Sequence, residues 1–191
     1  MKVRESGMPE AGMWNTFFDP VAILDAMSLT GEVRDAVDFG CGYGTFAIPA
    51  AKRIQGTLHA FDVEPTMIEA SRCCAKQEHV RNVQLHLHDF LTDGTGLDVA
   101  SMDYVMLFNI LHTEEPLRLL REAYRILVPD GRVAVIHWNY DPKTPRGPPL
   151  AIRPRPVDCS RWIKATGFTI EKEHIDLPPY HYGILARKGN A

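Results

Sequence analysis

The stretch from Val37 to Thr45, Val-Asp-Phe-Gly-Cys-Gly-Tyr-Gly-Thr, constrains this chain more than any other. The run from Asp35 to Phe39 reads as a short strand. Gly40, Gly42 and Gly44 then take every second position, and Phe46 to Lys52 reads as a helix. Strand, glycine turn and helix predict the nucleotide-binding corner of a parallel α/β sheet, because glycine lets the backbone turn sharply and approach a ligand that a Cβ would exclude. The spacing discriminates among ligands. A dinucleotide turn needs a third glycine at position 45, which is Thr, and a phosphate loop needs a Gly-Lys-Ser/Thr that does not follow. Asp38 argues further against a pyrophosphate, since two anions repel. It suits a ligand that brings positive charge, such as an ammonium or a sulfonium.

Composition narrows the class. A chain of 191 residues is one ordinary domain, long enough to bury about 70% of its unfolded surface. With 45% hydrophobic and 24% charged residues it reads as a globular protein, and a net charge of −3 gives no global attraction for nucleic acid. No apolar run approaches a membrane span, and the first residues lead into no signal-peptide core. The four cysteines, Cys41, Cys73, Cys74 and Cys159, form no Cys-x-x-Cys pair, which predicts reduced thiols and a cytoplasmic protein.

Along the chain, the rings of Trp14, Phe17 and Phe18 precede Asp19-Pro20, an N-cap followed by proline that predicts a helix start. This leading segment, residues 1–30, either lids a ligand cavity or covers one sheet edge. Thr57 to Asp62 predicts the second strand, with Asp62 at its carboxyl end about 20 positions after Gly40, where a βαβ nucleotide unit places an acid that grips ribose hydroxyls. Val63 follows it, and Pro65 opens a helix that carries Met67. Val83 to His88 alternates as a third strand and leads into Asp89-Phe90. His86 and His88 share one strand face, but no third ligand at metal spacing accompanies them, so no metal site is expected. Asp103 to Asn109 is a near-continuous apolar run, as a buried parallel strand requires. Asn109 and His112 follow at its carboxyl end, the switch point at which open α/β sheets bind ligands.

Beyond a helix opened by Glu114-Glu115-Pro116, Pro129-Asp130-Gly131 predicts a turn, and Arg132 to Trp138 a fifth strand. Residues 139–156 hold six prolines together with Lys143, Arg146, Arg153 and Arg155, which predicts a long loop over the mouth of the site. Pro156 opens a last helix closed by Gly167, and two further strands form a hairpin.

The Asp-x-Gly-x-Gly-x-Gly turn resembles motif I of the class I S-adenosylmethionine-dependent methyltransferases. Asp62, Asp89-Phe90 and the phrase Leu-x-Pro-Asp-Gly-Arg before strand five resemble later motifs of that family. The resemblance implies a doubly wound seven-stranded sheet of order 3-2-1-4-5-7-6 with an antiparallel last strand, in one domain over residues 1–191. It implies S-adenosylmethionine as cofactor, leaving as S-adenosylhomocysteine, held by Asp38, Gly40, Cys41, Gly42, Gly44, Thr45, Asp62, Val63, Met67, Asp89, Phe90 and Asn109. In that pattern Met67 lies against the adenine, Asp89 accepts from its amino group and Phe90 packs on its ring. The Asp/Asn-Pro-Pro-Tyr/Phe of the DNA adenine branch is missing after strand four, which points to a small-molecule acceptor rather than nucleic acid. His112 is the first candidate for a general base, with packed structural histidine as its alternative; His137 and Tyr140 lie near the same mouth. Two other readings stay open: a methyltransferase acting on protein or RNA, and a nicotinamide oxidoreductase or nucleotide binder.

Overall fold

The computed structural model of the chain describes residues 11–189; the first ten residues of the expected leading cap lie outside them. Seven strands form one sheet of order β3-β2-β1-β4-β5-β7-β6. They are β1 (Ala36–Phe39), β2 (Leu58–Asp62), β3 (Val83–Leu87), β4 (Met102–Phe108), β5 (Leu127–Trp138), β6 (Phe168–Leu177) and β7 (His181–Lys188). The first five are mutually parallel, and β7 inserts antiparallel between β5 and β6. The helices are α1 (Ala11–Trp14), α2 (Pro20–Ala26), α3 (Ala47–Ala51), α4 (Pro65–Gln77), α5 (Phe90–Asp93), α6 (Pro116–Ile126) and α7 (Pro156–Ala165).

Local chemistry sets many of these boundaries. Proline stands at the start of α2, α4, α6 and α7, where its missing N–H costs nothing and its fixed φ already suits the helix. At α2 the Asp19 carboxylate accepts from the Ala22 N–H at 3.0 Å, capping the first turn. The strands sort their side chains by the two-residue period. Tyr104, Met106 and Phe108 of β4 face one layer with Leu24 and Ala47, while Val105 and Leu107 face the other with Leu120 and Ile163. Both faces of the central strands are therefore covered, as a parallel sheet needs.

Two elements depart from expectation. Strand β5 begins at Leu127 rather than Arg132: Met102 pairs with Leu127 and Tyr104 with Arg132, so the Pro129–Gly131 turn survives as an excursion within one strand. Asp130 turns it with φ +64. Strand β6 continues to Leu177, through register shifts against β7. The first extension comes from pairing with a strand distant in sequence, the second from the hairpin that β6 makes with β7.

Candidate active site

The carboxyl ends of β1, β2, β4 and β5 converge on a cavity of about 510 Å³. Its floor is the glycine turn. Gly40 has φ +76, and a Cβ there would lie 2.8 Å from Ile110 Cδ1. Gly44, at φ +80, serves packing instead: its Cβ would meet Ser71 Oγ at 3.0 Å and Ile48 Cγ1 at 3.1 Å. Between them Gly42 is held at both backbone groups. Its N–H donates to Asp62 Oδ2 at 2.9 Å, and its carbonyl accepts from Ser71 Oγ at 2.8 Å.

Asp62 has a structural task beside any ligand contact. Its other oxygen, Oδ1, accepts from the Glu64 N–H at 2.9 Å, so one carboxylate braces the turn after β1 and the turn after β2. Burial raises its pKa, partly offset by those N–H donors. Asp38 is 3% exposed. Burial first, then the charge of Asp62, pushes its carboxyl up to about 7. A cation placed between the two would relieve both effects. The Cys41 thiol, pushed up mainly by burial, is an inert wall.

The rest of the lining is largely aromatic. Trp14, Phe46, Phe108 and Trp138 belong to it, with Arg146, Gly147 and Pro148 from the proline-rich loop. Asn109, in a left-handed conformation at φ +55, lines the cavity with both side-chain polar atoms buried and without a hydrogen-bond partner. His112 is 4% exposed. Its Nδ1 lies 3.3 Å from His137 Nε2, and its Nε2 has no hydrogen-bond partner. Burial lowers its pKa to about 4, so the ring is neutral at physiological pH.

Of the expected site residues, Asp38, Gly40, Cys41, Gly42, Thr45, Asp62, Val63, Met67, Asn109 and His112 line this one cavity. Gly44, Asp89 and Phe90 do not. Asp89 caps α5, accepting from the Thr92 N–H at 3.2 Å and its hydroxyl at 3.1 Å. Phe90 is 3% exposed, packed edge-on to Phe39 at 5.3 Å in the core beneath the sheet. Short-range bonding engages the Asp89 side chain, and core packing engages the Phe90 ring. The two roles imagined for the leading aromatics divide: Trp14 lines the cavity, whereas Phe17 and Phe18 are buried against Trp138 and Phe46 over the sheet. His86 and His88 go to separate tasks, His86 stacking on Phe61 at 4.4 Å and His88 bonding to the Gly94 carbonyl at 2.9 Å. Tyr140 stays outside, exposed beneath the Arg155 guanidinium. Sequence reasoning missed Phe46, Phe108 and Trp138; the signal was their place at the turn and at two strand ends.

Of the four basic loop residues, Arg146 alone lines the cavity. Arg153 is buried, and its guanidinium donates to the carbonyls of Asn139 (2.8 Å), Arg146 (3.2 Å) and Pro148 (2.9 Å) and to Thr144 Oγ1 (2.5 Å). The loop is wrapped around this cation.

The lining fits S-adenosylmethionine: two buried acids that suit a cationic ligand, glycine backbone that allows close approach, and the apolar side chains of Val63 and Met67. Residues 36–131, half of the chain, match a family model described as a methyltransferase domain. Aklanonic acid methyltransferase DauC of Streptomyces sp. (strain C5) is 33% identical over 124 residues, 62% of this chain and 54% of that protein. Ribosomal protein L11 methyltransferase of Photorhabdus laumondii is 39% identical over 110 residues, 56% of this chain and 33% of that protein. The chain thus spans about half or less of the length of these curated relatives. The crystal structure of a SAM-dependent methyltransferase from Aquifex aeolicus superimposes with a TM-score of 0.82 at 19% identity, covering 98% of both chains, and so shares the fold. With its motifs, its sheet order and its matched domain together, the chain belongs to the class I S-adenosylmethionine-dependent methyltransferase family.

Proposed function

We propose that this chain transfers a methyl group from S-adenosylmethionine to a small-molecule acceptor. The observation that carries the reading is one cavity lined by two unlike groups of residues, the acids at the glycine turn (Asp38, Asp62) and a largely aromatic set (Phe46, Phe108, Trp138) with His112. The side of the acids takes the cofactor: Asp62 the ribose hydroxyls, Asp38 the positive charge, Val63 and Met67 the edge of the adenine. A carboxylate buried at such a turn opposes a pyrophosphate, which weighs against a nicotinamide cofactor. When bound, S-adenosylmethionine supplies an electrophilic methyl on a sulfonium, whose loss leaves the neutral thioether of S-adenosylhomocysteine.

The protein's own contribution is orientation and exclusion of water. The aromatic walls and the Arg153-pinned loop surround the rest of the cavity, a shape suited to a compact ligand rather than a chain segment. The name of the aklanonic acid relative points the same way. The L11 methyltransferase relative favours a second reading, a protein acceptor.

Calorimetric titration with S-adenosylmethionine, S-adenosylhomocysteine and NAD tests the cofactor assignment. The first two should bind and NAD should not; the reverse result removes the reading. Incubation with a labelled methyl donor and either a metabolite pool or a ribosomal protein fraction then separates the acceptors. Label appearing only in protein would replace the small-molecule assignment.

A further inference from the structure

The cavity carries one charge that the cofactor assignment leaves unused. Its lining acids, Asp38, Asp62 and Glu64, stand at or just beyond the ends of β1 and β2. Arg146, the one lysine or arginine among its lining residues, comes instead from the loop after β5. Arg146 is exposed, so a dissolved ligand can reach its guanidinium. Among the described residues that guanidinium has no carboxylate partner. Its hydrogen-bond partner there is the Met13 thioether, 3.8 Å from Nη2, and a thioether is a weak acceptor.

The backbone beneath this side chain is fixed. The Arg146 carbonyl accepts from Arg153 Nη2 at 3.2 Å. Gly147, at φ +105, lies so close over the Trp138 indole that a Cβ there would stand 2.8 Å from its Cγ and Cδ2. Pro148 is buried, and its carbonyl accepts from Arg153 Nε at 3.0 Å and Nη2 at 2.9 Å. The guanidinium thus starts from a set point at the margin of the cavity. Its contact with Met13 carries it to the segment that brings Trp14 into the same lining.

We infer that Arg146 is a specificity-determining residue and that the methyl acceptor is a planar molecule bearing an oxyanion, a carboxylate or a phosphate. The inference deepens the function proposed above and rests on it. A guanidinium offers parallel N–H groups that match two oxygens of either anion. The indoles of Trp14 and Trp138, whose ring centroids are 6.3 Å apart, offer apolar area to the planar frame that bears it. A neutral acceptor of the same shape gains only the second of these contacts. Without Arg146 an anion would face Asp38, Asp62 and Glu64 with no cation in the lining, which opposes its entry. The oxyanion is the handle and not the methylated group, so the product leaves with its charge.

Tryptophan fluorescence reads the binding, since Trp14 and Trp138 line the cavity. Benzoate, phenyl phosphate and the neutral benzamide are titrated into the protein, free and saturated with S-adenosylhomocysteine, and into Arg146→Met and Arg146→Lys. Wild type should bind at least one of the anions about tenfold more tightly than benzamide, the scale of one charge-assisted hydrogen bond. The preference should shrink at high salt, and the anion preferred tells carboxylate from phosphate. Arg146→Met should lose the preference and Arg146→Lys keep part of it, with S-adenosylhomocysteine affinity changed by no more than a few-fold in either. A preference that survives Arg146→Met overturns the proposal, as does equal binding, or no binding, of anion and amide in wild type. In the labelled-methyl screen the product should be retained on an anion-exchange resin; label confined to neutral molecules overturns the proposal too. Failure of S-adenosylhomocysteine to bind would count against the cofactor assignment instead, and the anion preference of the free protein would still decide this one.

Discussion

Asp38 and Asp62 close adjacent strands, and their buried carboxyls respond to a cation in opposite measure. Asp62 is already committed to the Gly42 and Glu64 N–H groups, whereas Asp38 is held up near 7 by burial and by Asp62. A cationic cofactor favours the ionised form of Asp38, so its binding should expel a proton. Affinity for S-adenosylmethionine should rise with pH up to about 7 and then level off. Calorimetry across that range, repeated on Asp38→Asn, checks it: the variant should bind more weakly and without the slope, and a slope that survives would place the titrating group elsewhere. In the ligand-free protein the raised pKa acts on stability. The folded chain holds this proton more tightly than the unfolded chain does. Its contribution is full below about pH 4 and is lost as pH rises through about 7. Asp62→Ala should weaken cofactor binding by about 1.5–3 kcal/mol, as for a hydrogen bond to a charged group, and also cost about 1 kcal/mol of stability through the two N–H groups it strands. The sequence alone suggests the first effect and a neutral second one, because the bracing of the two turns is visible only once β1 and β2 lie side by side. Unchanged urea stability in this variant would show that the brace contributes nothing.

The proline-rich loop is the element whose order is least expected from its composition. Its prolines restrict the unfolded loop and so lower the entropy lost on ordering, but they do not choose a shape. Arg153 does, by offering its N–H groups to carbonyls from Asn139 to Pro148. A lysine has three donors on one nitrogen and cannot span that set. Arg153→Lys should therefore leave several acceptors unmet, lowering stability by about 2 kcal/mol or more and opening the loop to proteolysis. Cofactor affinity should change little, since Arg146, Gly147 and Pro148 belong to the largely aromatic part of the cavity lining. Limited proteolysis with and without S-adenosylhomocysteine reads the outcome; a loop that stays resistant in the variant would remove Arg153 as its organiser.

Across the molecule, the buried histidines outweigh the buried acids in setting the pH response. Burial lowers His112 to about 4 and His181 to about 3, and takes His137 well below its ordinary value. Each is neutral in the folded state and takes a proton on unfolding below about pH 6.5. Asp38 and Asp62 act in the opposite direction over the same window but are fewer. The unfolded chain therefore binds more protons, and stability should rise from about pH 4.5 to about pH 7. Urea midpoints at the two ends of that window check it, and a flat profile would mean that these rings are not buried neutral in solution.

The strands, the helix starts and the acidic glycine turn were legible in the chain because they rest on short-range patterns: a period of two in the strands, proline at helix starts, and glycine where φ must be positive. The sheet order followed only from the family resemblance that those motifs carry. The same patterns placed Asp38, Asp62, Asn109 and His112 at strand ends and so in one cavity. Tertiary packing decided the rest. Asp89 caps α5 and Phe90 packs in the core, tasks that their spacing in the chain does not announce. Gly44 leaves room for Ser71 and Ile48, which a Cβ there would crowd. His137 meets His112 only because β4 and β5 are neighbours, which brings its Nε2 to 3.3 Å from His112 Nδ1. Such pairings join residues far apart in the chain, and their distances are set by how elements pack, a quantity that no local pattern of residues carries.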